Sequence, residues 1–95
     1  MDYRLTPAAQ RDLGSIWDFT CERWDARQAE TYIVELREAV ERIAVNPERG
    51  SSVDHIRPTY RRYAVGSHLI FYTVNEQYVA VIRFLHQRMD VTQHL

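Results

Sequence analysis

RRYAVGSHLIFYTVNEQYVAVIRFL, residues 61–85, decides the fold of this chain. Arg61–Val65 alternates as a strand does, Gly66-Ser67 is a two-residue turn, and His68–Val74 forms the return strand. Asn75-Glu76-Gln77 makes a second turn before a last strand, Tyr78–Leu85. The second and third of these strands are apolar at nearly every position. Such strands need cover on both faces of their sheet.

Upstream, the apolar period changes from two residues to steps of three and four. Thr6-Pro7 offers a hydroxyl cap with proline at the first helical position. Ala9, Leu13, Ile16/Trp17, Thr20 and Trp24 then mark one face of an amphipathic helix, which puts both tryptophans in the core by default, with a partly exposed Trp24 at the hairpin tip as the alternative. Gly14 within it suggests a close approach by another element. Asp25 caps a second helix, about Ala26 to Val45, whose stripe is Ala29, Tyr32/Ile33, Leu36, Val40 and Ile43. Asn46-Pro47 ends that helix. The short link between the helices implies an antiparallel hairpin, and Tyr3-Arg4-Leu5 reads as a short strand before it. The expected fold is therefore α+β, in the order β-α-α-β-β-β, with the hairpin on one face of an antiparallel sheet. No element remains to hide the other face, which is expected to stay uncovered. The segment after the last strand is expected to make few core contacts, so that removing Arg88–Leu95 leaves folding intact.

Ninety-five residues, 45% apolar, with three Gly and three Pro, make one ordered domain, 1–95. The polar start Met1-Asp2-Tyr3-Arg4 does not resemble a signal peptide, and the longest apolar run, Tyr78–Ile82, is far too short to span a membrane. With the single cysteine, Cys21, these features point to a cytoplasmic protein. Net charge is −1. Residues 1–50 hold seven Arg against ten acids, and residues 51–95 hold five Arg against three. A chain this close to neutral is a poor stand-alone binder of nucleic acid, which is held mainly through phosphate neutralisation. The four histidines, His55, His68, His86 and His94, lack metal-ligand spacing. No glycine-rich phosphate loop or nucleophile elbow is present, so no metal or cofactor is expected.

Five stretches, in order, carry a resemblance over essentially the whole chain. They are Tyr3-Arg4-Leu5-Thr6-Pro7-Ala8-Ala9 with Asp12-Leu13; Asn46-Pro47; Ile56-Arg57 with Tyr60-Arg61; Gly66-Ser67-His68-Leu69-Ile70-Phe71-Tyr72; and Leu85-His86-Gln87-Arg88-Met89-Asp90. Together they resemble the RelE/ParE superfamily of bacterial toxins, and within it the ParE branch. The resemblance implies the toxin of a type II toxin–antitoxin module, inhibiting DNA gyrase by binding. It also implies a ParD-like antitoxin, whose disordered tail folds on the toxin and which alone brings the complex to operator DNA. RelE-branch relatives instead cleave mRNA on the ribosome, and one fold hosts both activities. A detoxified relative, serving only as antitoxin partner and co-repressor, is the third alternative.

RNA cleavage would draw on Arg61, Arg83 and His86, but the lysine clusters of the RelE branch are absent, since every basic residue here is arginine. Binding without catalysis is therefore the expectation. Arg83, His86, Arg88 and Asp90 are the expected target contacts, with His86 and Arg88 on one side of the strand's continuation. Arg57, Arg61, Arg62, Trp24 and Phe71 are the expected antitoxin contacts. Trp24 enters this set as an anchor at the hairpin tip, and Phe71 as part of the uncovered face.

Overall fold

In the computed structural model, which describes residues 1–95, strand β1 (Asp2–Leu5) leads into helix α1 (Pro7–Arg23). Thr6 makes the junction: its Oγ1 accepts the Ala9 N–H at 3.0 Å, and Pro7 sits where no N–H is needed. Asp25 starts α2 (Ala26–Val45) by accepting the Gln28 N–H at 2.7 Å. A 3-10 turn at Pro47–Arg49 then leads to β2 (Ser51–Ser52), β3 (Arg61–Val65), β4 (His68–Val74) and β5 (Tyr78–His86), followed by a second 3-10 turn at Val91–Gln93. No helix is long and apolar enough to cross a membrane.

The α+β class and the expected elements are as the sequence implies, but a two-residue strand, β2, is added at the sheet edge and the sheet is mixed. Its order is β1-β5-β4-β3-β2, with β1 parallel to β5 and every other pair antiparallel. The helical hairpin delivers the chain to the far edge. The meander then walks back, so β5 arrives beside β1 running the same way. Leu36, Val40 and Ile43 of α2 and Ile16 of α1 pack on Ile70, Tyr72, Val79, Val81 and Phe84. At the β3–β4 turn Gly66 has φ +55°, and a Cβ there would lie 2.7 Å from the Tyr32 ring, so glycine is required twice over.

A bulge sets which β5 side chains face which way. Phe71 pairs with Arg83 but Tyr72 pairs with Val81, which leaves Ile82 without a partner. Val79 and Val81 therefore face the helices, whereas Leu85 joins the opposite cluster with Phe71. Arg83 shares a face with Leu85 but not with Val81, contrary to simple alternation.

The far face is covered, which corrects the expectation of a bare one. Val53, Phe71 and Leu85 form a second small core, with Ile56, Tyr60, Leu69, Val91 and Leu95 packed around it. The cover comes from two segments with scattered apolar residues and no period, the 53–60 loop and the last five residues. Asp54 Oδ1 accepts the Thr59 N–H at 2.7 Å, and Val53 N–H bonds Tyr60 O at 2.8 Å, which closes the loop. Leu95 O is held by Arg57.

Two expectations for α1 also change. Its buried residues are Ala9, Ile16 and Thr20, a narrow stripe, and one residue's rotation puts Trp17 on the margin at 38% exposure. Trp24 lies at the hairpin tip, past the last turn, and is 69% exposed. A Cβ at Gly14 would meet nothing within 4 Å, so no close approach explains that glycine.

Candidate functional site

Where the hairpin tip overhangs the β3–β4 turn and the end of β5, the two layers part and leave a groove of about 510 Å³. Ile16 and Phe19 of α1, Trp24, and Met89 beyond β5 form its apolar walls. Phe19, Trp24 and Met89 are 61%, 69% and 45% exposed, respectively. The polar lining is Ser15, Thr20, Gln28, Tyr32, Ser67, His68 and His86. None of these residues is Asp, Glu, Lys or Arg, in a chain whose residues are 26% charged.

Tyr32, His68 and His86 meet on the groove floor. Tyr32 sits on the stripe of α2, and its Oη lies 2.6 Å from His68 Nδ1 and 3.3 Å from Val65 O while accepting the Ser67 N–H at 3.1 Å. The single hydroxyl proton serves one acceptor at a time, and with a neutral imidazole the short contact takes it. His68 and His86 are cross-strand partners, and their rings meet edge to face at 5.3 Å. Burial, and then the neighbouring His86, lower the His68 pKa to about 4, while Asp12 offsets part of this. The Tyr32 hydroxyl is raised, first by burial and also by Glu35, against the Ser67 bond.

A pH dependence follows. Unfolded His68 takes its proton near pH 6.5 and folded His68 only near 4. Between these values the unfolded chain binds more protons, so stability falls as pH drops from 6.5 toward 4. Urea unfolding at stepped pH is expected to show that loss in the parent and a flatter profile in His68→Asn.

The arginines are occupied in separate places. Arg83 donates from Nε to Asp12 Oδ2 at 2.7 Å and from Nη2 to Oδ1 at 2.8 Å, and its Nη1 reaches His94 O at 3.1 Å. The Asp12 carboxylate raises the Arg83 pKa. Arg61 gives its guanidinium to Gly50 O at 2.6 Å and Glu48 O at 3.2 Å. It stands opposite Tyr72, whereas His86 stands opposite His68, four residues along β4. At about 3.3 Å per residue that is roughly 13 Å. The set Arg61, Arg83 and His86 therefore does not assemble.

Of the expected target contacts, Arg83 is committed to Asp12, and Asp90 caps the last 3-10 turn through Thr92. His86 lines the groove and its Nδ1 accepts the Arg88 N–H at 3.1 Å. β5 ends at His86, so Arg88 leaves in a turn rather than on a strand's continuation, and its side chain is exposed and unpartnered. Of the expected antitoxin contacts, Trp24 and Arg62 are exposed and Arg57 is tied to Leu95. Phe71 is fully buried under the tail and the 53–60 loop, so it offers no contact surface. Sequence reasoning missed Asp12, Tyr32 and His68 as site residues. Tyr32 was hidden in an apolar stripe, and His68 becomes notable only once the register sets it against His86.

Comparison with known proteins fits this architecture. Residues 3–91 match the family described as the ParE toxin of the type II toxin–antitoxin system, parDE. The chain is 51% identical over 94 residues to a protein named Toxin ParE1 from Mycobacterium tuberculosis, covering 98% of this chain and 96% of that one. A Toxin ParE1 from Caulobacter vibrioides is 43% identical over 93 residues, with the same coverage. Among solved structures, a chain from the chromosomal ParDE toxin–antitoxin system of P. aeruginosa superposes with a TM-score of 0.79. It covers 90% of this chain and 95% of that one at 19% identity, a likeness of fold.

Proposed function

The chain belongs to the ParE toxin family of type II toxin–antitoxin systems, and from that membership we propose that it arrests growth by binding DNA gyrase without turnover. A ParD-like antitoxin neutralises it in the cytoplasm. The observation that carries the non-catalytic reading is the dispersal of the cations. Cleavage through a 2′-hydroxyl needs a base, an acid and cationic stabilisation of the phosphorane in one place. Here Arg61 and Arg83 are bonded elsewhere, and the groove that holds His68 and His86 has no charged lining. That uncharged, aromatic-walled groove suits the apolar stripe of an antitoxin helix. The net charge of −1 supports contact with operator DNA only through the antitoxin. Of the expected target contacts, Arg88, exposed at the exit of β5, is the cation without a partner, with His86 beside it.

The test places the purified chain with gyrase and, separately, with translating ribosomes. Supercoiling is expected to fall, or cleaved DNA to accumulate with gyrase, at toxin concentrations comparable to the enzyme's, while mRNA stays intact. Codon-specific mRNA cuts that vanish in His86→Ala would instead establish the endonuclease. Expression without antitoxin that leaves growth untouched would assign the chain to antitoxin partnership alone.

A further inference from the structure

β5 outlasts its partner. The β1 ladder ends at Leu5 opposite Val81, and beyond it the same side of β5 faces α1 with no strand to pair it. Side chains take over there. Thr6 Oγ1 donates to Ile82 O at 2.8 Å, and Asp12 Oδ2 accepts the Phe84 N–H at 3.0 Å. One neutral acceptor would satisfy that amide. The chain instead places an ionised carboxylate there, 14% exposed, and pairs it two-pronged with Arg83, 23% exposed. The only other ion pair, Arg37–Glu41, is long and solvated. A partly buried pair of this kind fixes geometry more surely than it adds stability.

The geometry is specific. Because of the Ile82 bulge, Arg83 leaves the helix side of the sheet, and its fork reaches α1 with one edge and the tail, at His94 O, with the other. The tail, residues 90–95, is tied to the rest of the chain by two hydrogen bonds, from Arg57 to Leu95 O and from Arg83 to His94 O. It consists of one three-residue 3-10 turn with Val91 and Leu95 as half-buried anchors. Asp90 and Arg57 tie it to itself and to a loop, and Arg83 ties it through Asp12 to a helix.

We propose that Asp12 is a positioning residue for the end of the C-terminal segment, acting through Arg83 to fix residues 90–95 on the sheet. The turn at Arg88 is set separately, by Gln87 N–H to Ser67 O at 2.9 Å, Arg88 N–H to His86 Nδ1 at 3.1 Å and Met89 N–H to His86 O at 2.9 Å. The hold on the segment stands on the geometry alone; its consequence for toxicity rests on the reading of Asp90, which caps this segment, as a target contact.

The experiment uses the full chain with Asp12→Asn, which keeps an oxygen for Phe84 N–H, and Arg83→Lys, which keeps the charge but loses the fork. Hydrogen exchange is read at the amides of Gln93, His94 and Leu95, which bond Asp90 O and Val91 O. These are expected to exchange about tenfold faster in both variants while the β4–β5 ladder keeps its protection. Growth inhibition is expected to drop about tenfold with antitoxin affinity unchanged, and Asp12→Glu, which retains the ion pair, to stay within about threefold of the parent. Parental exchange at the tail in a folded Arg83→Lys overturns the proposal, even if Asp12→Asn fails to fold. A loosened tail with full toxicity keeps the positioning role and removes Asp90 and the residues after it from the target surface.

Discussion

Replacing Tyr72 by phenylalanine is expected to destabilise the fold by about 2–4 kcal/mol through the loss of one oxygen atom. Tyr72 is fully buried, and its Oη donates to Pro47 O at 2.8 Å while accepting the Gly50 N–H at 2.9 Å. Both backbone groups lie where the chain leaves α2 and turns into β2. Phenylalanine would strand a donor and an acceptor together, each at about 1–3 kcal/mol when buried. Nor can a side chain at position 50 fill the space the hydroxyl leaves, since a Cβ there would stand 2.6 Å from Arg62 O. Arg61, which bonds Gly50 O, would lose its seat as well. Urea unfolding of the full chain should show the lower midpoint with an unchanged slope. A change under about 0.5 kcal/mol would mean that solvent reaches these groups.

The second large effect is expected from deleting Val91–Leu95. Removing a free-standing tail would cost little, but this one covers Phe71 and Leu85, which are fully buried. Losing its two anchors and wetting that cluster is expected to cost about 3 kcal/mol, at roughly 1.5–3 kcal/mol per fully buried large apolar side chain. The truncated chain should bind a hydrophobic dye that the parent does not. Loss of toxicity on truncation therefore cannot by itself locate the target surface. Arg88→Ala is the cleaner probe, because its exposed side chain has no partner to lose. It should leave stability within about 0.5 kcal/mol while abolishing growth arrest, with Gln87→Ala milder. An Arg88→Ala chain that is folded and fully toxic would move the target surface elsewhere.

Local signals in the sequence determined the elements. Thr6-Pro7 and Asp25 start the helices where a capping oxygen can meet an orphan N–H, and Asn46-Pro47 stops the second because proline supplies none. Period-2 runs gave the meander, and strands apolar on both faces correctly required two covers. Together with the ordered motif stretches, these were enough to point to the family. Only the tertiary structure decided which residues meet. β1 reads as a strand, but nothing in Tyr3-Arg4-Leu5 says that it joins β5 in parallel. The unpaired Ile82 flips Arg83 relative to Val81, and one residue of slip is enough to exchange the faces of a strand. Phe71 is hidden by segments without periodicity, so no pattern announced its cover. Tyr32, His68 and His86 lie far apart in the chain and converge only through register and helix packing, as do Asp12 and Arg83. Caps and periods are properties of neighbours in sequence, whereas contacts across a sheet depend on pairings that the whole chain must close at once.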